Sequence, residues 1–249
     1  MNSEKPLAIA QLASRFGVND MLMATKDMPF MASLLYYFGV LTFGGYTKNG
    51  ELILNIPNLV MRKLYVEQLQ DLFLPDWTAK ENARRMAQQF YQTGNLQPLC
   101  QFIVETYFKV FSNRDYRWTN ELTIKTAFLM LLFNDTFYIV DSETELGRRY
   151  TDLTLIVRPD MRRYQLLDFL IEFKYVKLTE VELTAEQVKQ LSDDELKAKK
   201  IVFKKLAESE SQLKSYRQTL QSRYGNQLRL HSYSVVAVGY ERVISCEIK

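Results

Sequence analysis

Two strand-like runs on either side of a short turn constrain the fold of this chain most. Residues 150–157 and 166–176 are rich in β-branched and aromatic side chains, which favour β-strands. Residues 158–163 separate them and include Pro159 and Asp160, two residue types common in turns. The sequence therefore predicts an antiparallel hairpin that reverses near residue 162.

The charged residues inside these runs are unusual for strands. In an antiparallel pair the numbers of facing residues add to a constant. If Asp152 faces Glu172, the hairpin must therefore reverse near residue 162, which lies inside the predicted turn. Like charges that face each other, with Cβ atoms ~4.5–5.5 Å apart, are destabilising. Lys174 shares the face of Glu172, because side chains alternate along a strand. We predict a polar face here and a core face that carries Phe169, Ile171, Phe173 and Tyr175.

Two carboxylates and an ammonium group in one place favour a bound cation or substrate, because burying them without compensation is costly. Mg²⁺ is usually bound by one or two carboxylates together with waters and substrate phosphates. A Mg²⁺ ion at Asp152 and Glu172 would suit phosphodiester hydrolysis. The same charges also admit a simpler interpretation, an ion-pair network on the half-exposed sheet of a scaffold protein.

The order of Asp152 and then Glu172-Phe173-Lys174 at the end of an apolar strand resembles the motif of the PD-(D/E)XK nuclease superfamily. The surrounding sequence resembles one branch, the nuclease-like domain at the C-terminus of bacterial proteins with an AAA-ATPase-like N-terminal domain. The resemblance implies that Asp152 and Glu172 bind Mg²⁺ or Mn²⁺, with the Phe173 carbonyl completing the shell. It also implies that Lys174 orients or helps to deprotonate the attacking water.

A predicted helix begins at Glu121, after Thr119 or Asn120 as its cap, and continues as an apolar run to Leu132. Taken alone, Glu121 is an acidic residue that complements the helix dipole in the first turn. In the superfamily, a glutamate of the first helix commonly helps to bind metal, and Glu121 is the matching position. The resemblance therefore adds Glu121 to the catalytic and metal-binding residues.

Four further residues are candidates for substrate binding by resemblance. Arg148 and Arg149 follow a glycine, similar to the Gly-Arg that precedes the metal-binding aspartate in many relatives. They would contact a phosphate, or they are solvated charges. Gln212 and Tyr216 share a helix face, and Gln-x-x-x-Tyr resembles a motif that exonuclease-type branches place beside the metal. This pair also arises often by chance.

The residue inventory excludes several other functions. One histidine, His231, and two cysteines are too few for a zinc site or for a Cys-His or Ser-His-Asp hydrolase. No glycine begins a G-x-x-x-x-G-K-[ST] phosphate loop, so this sequence is not predicted to hydrolyse ATP by itself. A separate ATPase is an expected partner by the resemblance. The net charge is +3, and the basic excess in residues 148–177, at the proposed site, favours a nucleic-acid partner.

The predicted order of elements from residue 121 onward is a helix, three strands, helices and two strands. This order predicts an α/β fold with a central mixed β-sheet flanked by helices, a restriction-endonuclease-like core. We assign residues 111–249 to this nuclease-like domain. Residues 1–110 are predicted to form a smaller, mostly helical region with a β-hairpin, which resembles the end of an ATPase-like domain and its linker.

Local signals predict where several helices begin and end. Gly94 and Gly225 are predicted stops, and the helix that ends at Gly225 is predicted to begin near Ser192. Predicted N-terminal caps are Asp27, Thr78 with Glu81, Thr184 with Gln187, and Ser192 with Glu195.

Residues 28–47 carry no charge and are about as long as a membrane span. They contain Pro29 and three glycines, however, and lead into an Asn49-Gly50 hairpin signal, which favours a helix and hairpin over a membrane helix. No signal-peptide pattern opens the chain, so we expect a cytoplasmic protein. The main alternative to a nuclease is a catalytically inactive nuclease-fold module that binds nucleic acid or a partner protein, and the oligomeric state stays open.

Overall fold

The structure is a computed structural model that describes residues 7–13, 27–57, 59–74, 76–110, 121–142, 144–146 and 149–248. The chain divides into two compact units, Met1–Tyr65 and Val66–Lys249. The domain boundary predicted at residues 110 and 111 stays a prediction. Among the described helices, none is both long and apolar enough to cross a membrane.

The first unit contains helix α1 (Met28–Tyr37) and a three-stranded sheet. The sheet has the order β1 (Ala8–Ile9), β3 (Leu52–Asn55), β2 (Thr42–Tyr46). The Asp27 carboxylate caps α1 by accepting a hydrogen bond of 2.9 Å from the Phe30 N–H. Strands β2 and β3 pair in antiparallel fashion, so the predicted cap and the predicted hairpin are both confirmed.

The remaining elements belong to the second unit, except that its first helix begins before residue 66. The helices are α2 (Leu59–Phe73), α3 (Trp77–Thr93), α4 (Gln97–Phe102), α5 (Glu121–Leu132), α6 (Leu178–Val181), α7 (Ala185–Gln190), α8 (Asp193–Lys197) and α9 (Lys200–Tyr224). The strands are β4 (Tyr138–Asp141), β5 (Thr144–Leu146), β6 (Arg149–Thr151), β7 (Leu153–Val157), β8 (Asp168–Val176), β9 (Leu230–Val238) and β10 (Arg242–Ile248).

A mixed five-stranded sheet forms the centre of this unit, in the order β10-β9-β8-β7-β4. Strand β8 pairs in parallel with β9, whereas the other neighbouring pairs are antiparallel. Strands β5 and β6 form a separate two-stranded sheet. The predicted α/β class is confirmed, and the architecture is that of a restriction-endonuclease-like fold.

Strands β7 and β8 pair in the predicted register. Leu153 faces Ile171 and Leu155 faces Phe169, and these pairs have the same sum of residue numbers as Asp152 and Glu172. The run 150–157 was predicted as one strand, and this is wrong, because it divides into β6 and β7 with Asp152 in a bend between them. The division arises because β6 pairs with β5, whereas β7 pairs with β8.

One face of β8 forms the main hydrophobic core, as predicted. The Phe169 ring stacks on Phe90 of α3, with ring centroids 4.1 Å apart. The Phe173 ring contacts Phe128 of α5 at 5.0 Å. These aromatic contacts fix the position of α3 and α5 on this side of the sheet, and hence the position of Glu121 at the start of α5.

The other face of β8 was predicted to be polar, and this prediction is only partly right, because helix α9 covers it. Two apolar clusters join α9 to the sheet, one at each end of the polar stretch of β8. The first cluster contains Leu170, Leu213, Tyr216, Leu220 and Ile248, and the second contains Val176, Val202, Val236, Val238 and Ile244. Strand β8 is therefore buried on both faces, as is common for central strands of α/β folds.

The helix-boundary predictions had mixed outcomes. Capping boxes at Thr184 and Ser192 are confirmed. The predicted box at Thr78 is wrong, because the carboxylate of Asp76 caps α3 by accepting a hydrogen bond from the Ala79 N–H. The helix predicted from Ser192 to Tyr224 is two helices, because Lys199 has extended backbone angles and separates α8 from α9.

Gly94 ends α3, as predicted, and its position requires glycine for two reasons. Its φ of +75° lies in the left-handed region, which glycine adopts without steric cost. A Cβ atom at this residue would lie 2.8 Å from the Tyr233 hydroxyl oxygen, and that hydroxyl donates a hydrogen bond of 2.6 Å to the Gly94 carbonyl. This close contact ties the end of α3 to strand β9.

Candidate active site

The charged residues predicted from the sequence converge at the middle of β8. The Lys174 ammonium contacts Oε1 of Glu172 at 2.9 Å and Oε1 of Glu121 at 3.3 Å. Glu172 is 3% exposed and Lys174 is 8% exposed, whereas Glu121 at the start of α5 is half-exposed. One ammonium group thus joins the central strand to the first turn of a helix.

Asp152 completes this group from the bend between β6 and β7. Its Oδ2 atom accepts a hydrogen bond of 2.8 Å from the backbone N–H of Phe173, the residue between Glu172 and Lys174. The Asp152 charge is close enough to raise the pKa of Glu172 and of Lys174. The structure therefore brings all four residues of the predicted catalytic set together.

Glu172 is the most buried of the three carboxylates. Burial first, and then repulsion by the Asp152 carboxylate, raise the pKa of Glu172 to about 7, although attraction by Lys174 opposes them. Near neutral pH a large fraction of Glu172 therefore carries a proton. A cation that binds this carboxylate must displace the proton, so binding would strengthen as the pH rises through 7.

The other two groups respond to the same surroundings. Burial lowers the pKa of Lys174, but the carboxylates of Glu172, Glu121 and Asp152 outweigh burial, and the net shift is upward. Lys174 is thus held in its ammonium form. Burial raises the pKa of Glu121, with a smaller upward contribution from Asp152, while Lys174 opposes both.

The geometry fits a divalent cation. Oε2 of Glu172 is buried and has no hydrogen-bond partner among the described residues, and such an atom is costly unless a ligand or water contacts it. Three carboxylates surround one ammonium group, which leaves an excess of negative charge. No three acidic, histidine or cysteine side chains in the described ranges form a ready-made metal cluster, but Mg²⁺ needs only one or two carboxylates.

Buried hydroxyl groups extend this polar region towards α9. Ser234 lies beside Glu172 in the register of β8 and β9, and Ser209 of α9 is 0% exposed. Neither hydroxyl has a hydrogen-bond partner in the described part of the chain. Sequence reasoning missed both residues, although Ser209 interrupts the apolar stripe of α9 at the spacing of Leu206 and Leu213, a signal that could have found it.

The predicted Gln212 and Tyr216 both lie on α9. Tyr216 is buried in the apolar cluster with Leu170 and Leu213. The side-chain oxygen of Gln212 is buried without a hydrogen-bond partner among the described residues. Their role in substrate binding stays a prediction.

The predicted arginines lie partly outside what the structure describes. Arg148 lies outside the described residues, and so does the side chain of Arg149. Arg158 and Arg162 lie at the turn of the β7–β8 hairpin and not beside the carboxylates of the candidate site. The predicted basic excess at the site is therefore only partly right. Arg158 bonds the Asp135 carbonyl at 3.2 Å, and the turn uses both arginines for internal contacts.

Asp168 is a second buried carboxylate that sequence reasoning missed. It accepts hydrogen bonds from two Arg162 nitrogens, at 2.6 and 2.8 Å, and from the N–H groups of Val157 and Arg229, each at 2.8 Å. With its hydrogen bonds satisfied in this way, Asp168 anchors the turn end of the hairpin. Its role is structural, and it lies four residues, or about 13 Å, from Glu172 along the strand.

The chain was compared with curated proteins, with solved structures and with models of protein families. No curated protein and no solved structure matches the chain. The model of a family in the PD-(D/E)XK nuclease superfamily matches residues 119–247, which is more than half of the chain. The matched residues include Glu121, Asp152, Glu172 and Lys174. With this match and a restriction-endonuclease-like fold, the chain belongs to the PD-(D/E)XK nuclease superfamily.

Proposed function

We propose that this protein is a metal-dependent nuclease that hydrolyses phosphodiester bonds of DNA or RNA. The observation that carries the proposal is the buried Oε2 atom of Glu172, which lacks a hydrogen-bond partner among the described residues and lies in a group of three carboxylates around Lys174. Such a site attracts a cation, and a superfamily member of this kind commonly uses the cation for hydrolysis.

Asp152 and Glu172 would hold Mg²⁺ or Mn²⁺, with support from Glu121 and the Phe173 carbonyl. When bound, the ion lowers the pKa of a water molecule and stabilises charge on the scissile phosphate. The Phe173 N–H orients Asp152 for this task by holding one of its carboxylate oxygens. Glu172 must release its proton first, which its pKa of about 7 permits in neutral or mildly alkaline solution.

Lys174 would act as a hydrogen-bond donor. Because the neighbouring carboxylates raise its pKa, it keeps its proton near neutral pH and cannot serve as a general base in that state. Its ammonium group would orient the attacking water or stabilise the phosphate charge. Gln212, Tyr216, Arg148 and Arg149 are proposed to contact the substrate around this centre.

We also propose a partner protein for this nuclease. The resemblance to nuclease-like domains that follow AAA-ATPase-like domains supports a separate ATPase as a partner in the cytoplasm. In this proposal residues 1–110 correspond to the end of an ATPase-like domain and its linker, and residues 111–249 form the nuclease-like domain. Co-purification of tagged protein with an ATPase would test it.

A cleavage assay tests the proposed activity directly. Wild-type protein is incubated with single-stranded and double-stranded DNA and RNA in Mg²⁺, in Mn²⁺ and in EDTA. Cleavage is expected only with a divalent ion. Glu172→Ala should abolish it, because this variant removes the buried ligand.

Glu247→Gln is the matched control, since Glu247 is also a strand carboxylate that pairs with a basic side chain, His231, away from the site. Cleavage that survives in purified Glu172→Ala would overturn the assignment. Metal-dependent stabilisation without cleavage of any substrate would favour the inactive binding module.

A further inference from the structure

A cavity of about 570 Å³ lies at the turn end of the β7–β8 hairpin. Its walls come from α3, from the segment between α5 and β4, and from residues 164–166. Asp168 follows this wall and is about 13 Å along β8 from Glu172. The cavity is therefore distinct from the carboxylate site, and its volume lies within the range of small-molecule pockets, about 300–1,000 Å³.

Primary amides supply the polar chemistry of the cavity. Gln88 and Gln92 lie one turn apart on α3, and Gln165 lies in the lining segment 164–166. These three amides make no hydrogen bond with the part of the chain that the structure describes. Each amide offers a donor and an acceptor side by side, which is the combination that the edges of unpaired nucleobases require.

Aromatic rings supply flat surfaces beside these amides. Tyr164 is 43% exposed, and its ring lies 5.9 Å from that of Phe137 at an interplanar angle of 78°. The Arg163 guanidinium lies over the Tyr164 ring at 5.0 Å. Exposed aromatic rings stack on bases, and arginines contact both bases and phosphates.

The charge of the residues around the cavity suits a nucleobase as the ligand and does not suit a cation. None of its described lining residues is acidic, and the Arg163 guanidinium lies over the ring of the lining residue Tyr164. The backbone of the lining is also fixed, because Arg229 donates a hydrogen bond of 2.7 Å to the Tyr164 carbonyl. A polar and partly aromatic cavity of this kind suits one planar heterocycle.

We propose that this cavity binds one unpaired nucleobase of a nucleic-acid strand, at a nucleotide other than the one that is cleaved. Tyr164 stacks on the base, while Gln92 and its neighbouring amides bond to the base edge. This inference rests on the proposed function, because it assigns to the same substrate a second point of contact. It implies that single-stranded or locally opened nucleic acid is the preferred substrate.

Binding of a short fluorescein-labelled single-stranded oligonucleotide, measured by anisotropy in EDTA, tests the proposal without cleavage. A second oligonucleotide has the same sugar-phosphate backbone but abasic sites. Tyr164→Ala and Gln92→Ala are expected to weaken binding of the first by about tenfold and to leave binding of the second unchanged. Tyr224→Ala and Gln89→Ala, which replace the same residue types outside the cavity, should bind as wild type does.

Three results with the oligonucleotides would overturn the proposal. They are equal binding by the Tyr164→Ala variant and wild type, equal weakening for the abasic oligonucleotide, and no binding of either oligonucleotide to wild type. Adenosine monophosphate that competes for the cavity as strongly as the oligonucleotide does would point to a free nucleotide as the ligand and would also overturn it. If the base-dependent loss is seen but Mn²⁺ supports no cleavage, the proposed activity fails and the cavity assignment stands.

Discussion

The backbone N–H of Phe173 donates a hydrogen bond of 2.8 Å to the Asp152 carboxylate, just beyond the last paired residues of β7 and β8. A side chain thus takes the place of a backbone acceptor where the two strands separate. Because Phe173 lies between Glu172 and Lys174, this bond fixes Asp152 relative to both. The position of the proposed metal ligands is therefore set by the end of the strand pair.

Asp152→Asn should remove stabilisation by divalent ions. In wild type, Mn²⁺ at a hundredfold excess over its Kd would stabilise the protein by about 2.7 kcal/mol, or about 5–10 °C in melting temperature for a chain of this size. The variant keeps a side-chain acceptor for the Phe173 N–H but loses a metal ligand. Thermal melts of both proteins with Mn²⁺ and with EDTA measure the difference, and Asp160→Asn at the exposed turn is the control. Equal Mn²⁺ shifts in wild type and Asp152→Asn would contradict the site.

The metal-free protein should lose stability as the pH rises from about 5 to 8. The pKa of Glu172 is raised in the folded protein to about 7, so the folded state binds more protons than the unfolded state between its ordinary pKa and 7. Its stabilising contribution is present at low pH and is lost as the pH rises through 7. In EDTA, melting temperatures of wild type should therefore fall relative to those of Glu172→Gln over this range. Parallel curves would show that Glu172 has an ordinary pKa.

Lys174→Met should separate catalysis from metal binding. Loss of the ammonium group removes a proposed contact to water or phosphate and should reduce cleavage by at least about a hundredfold. The same change removes the positive charge that competes with a cation for Glu172, so the Mn²⁺-dependent increase in melting temperature should grow when it is measured in alkaline solution, where Glu172 has released its proton. Lys189→Met, in which an exposed lysine that pairs with the buried Glu241 is replaced, controls for loss of a charge. A decrease in the Mn²⁺ shift would mean that Lys174 supports metal binding.

Asp168→Asn should destabilise the fold without touching the active site. The change weakens a buried, fully hydrogen-bonded pair with Arg162, and breaking such a pair costs about 3–5 kcal/mol. Asp160→Asn breaks only the exposed contact with Arg158, for which we expect at most about 1 kcal/mol. Urea unfolding measures both free energies. A cost for Asp168→Asn no larger than that of the control would show that the turn has another anchor.

Ser209→Ala should stabilise the protein by about 1 kcal/mol or more. The variant removes a buried hydroxyl that has no hydrogen-bond partner among the described residues, and alanine also has the higher helix propensity. Ser215→Ala, at an exposed position of the same helix, isolates the contribution of propensity. Urea unfolding that shows a loss of stability for Ser209→Ala would instead reveal an internal water bound to this hydroxyl.

Local rules predicted part of this structure well. The caps at Asp27, Thr184 and Ser192 depend on residues within one helical turn, and all three form. The register of β7 and β8 was also predicted from nearby residues. Pairing Asp152 with Glu172 requires the chain to reverse near residue 162, which lies inside the predicted turn. Such signals survive folding because they need little help from distant parts of the chain.

Other features depend on partners far away in sequence, and the sequence did not reveal them. The face of β8 that carries Glu172 is covered by α9, so its surroundings are set by a helix that lies later in the sequence. Arg162 was counted as part of a basic site, but a buried carboxylate at Asp168 binds it. The positions of charged residues in the sequence do not show whether a charge is exposed or is buried and paired. Burial depends on how helices and strands that are distant in sequence pack together.

Asp152 and Asp168 lie at opposite ends of the β7–β8 pair, and together they fix the pairing register on which the site depends. Both carboxylates accept backbone N–H groups, so the strands are held in step at each end. A shift of one residue would send Glu172 and Lys174 into the aromatic core and bring Phe173 out in their place. An inserted residue within 169–171 would therefore place Glu172 and Lys174 on the core face of the sheet. An insertion in the turn would leave each carboxylate on the face that it occupies now.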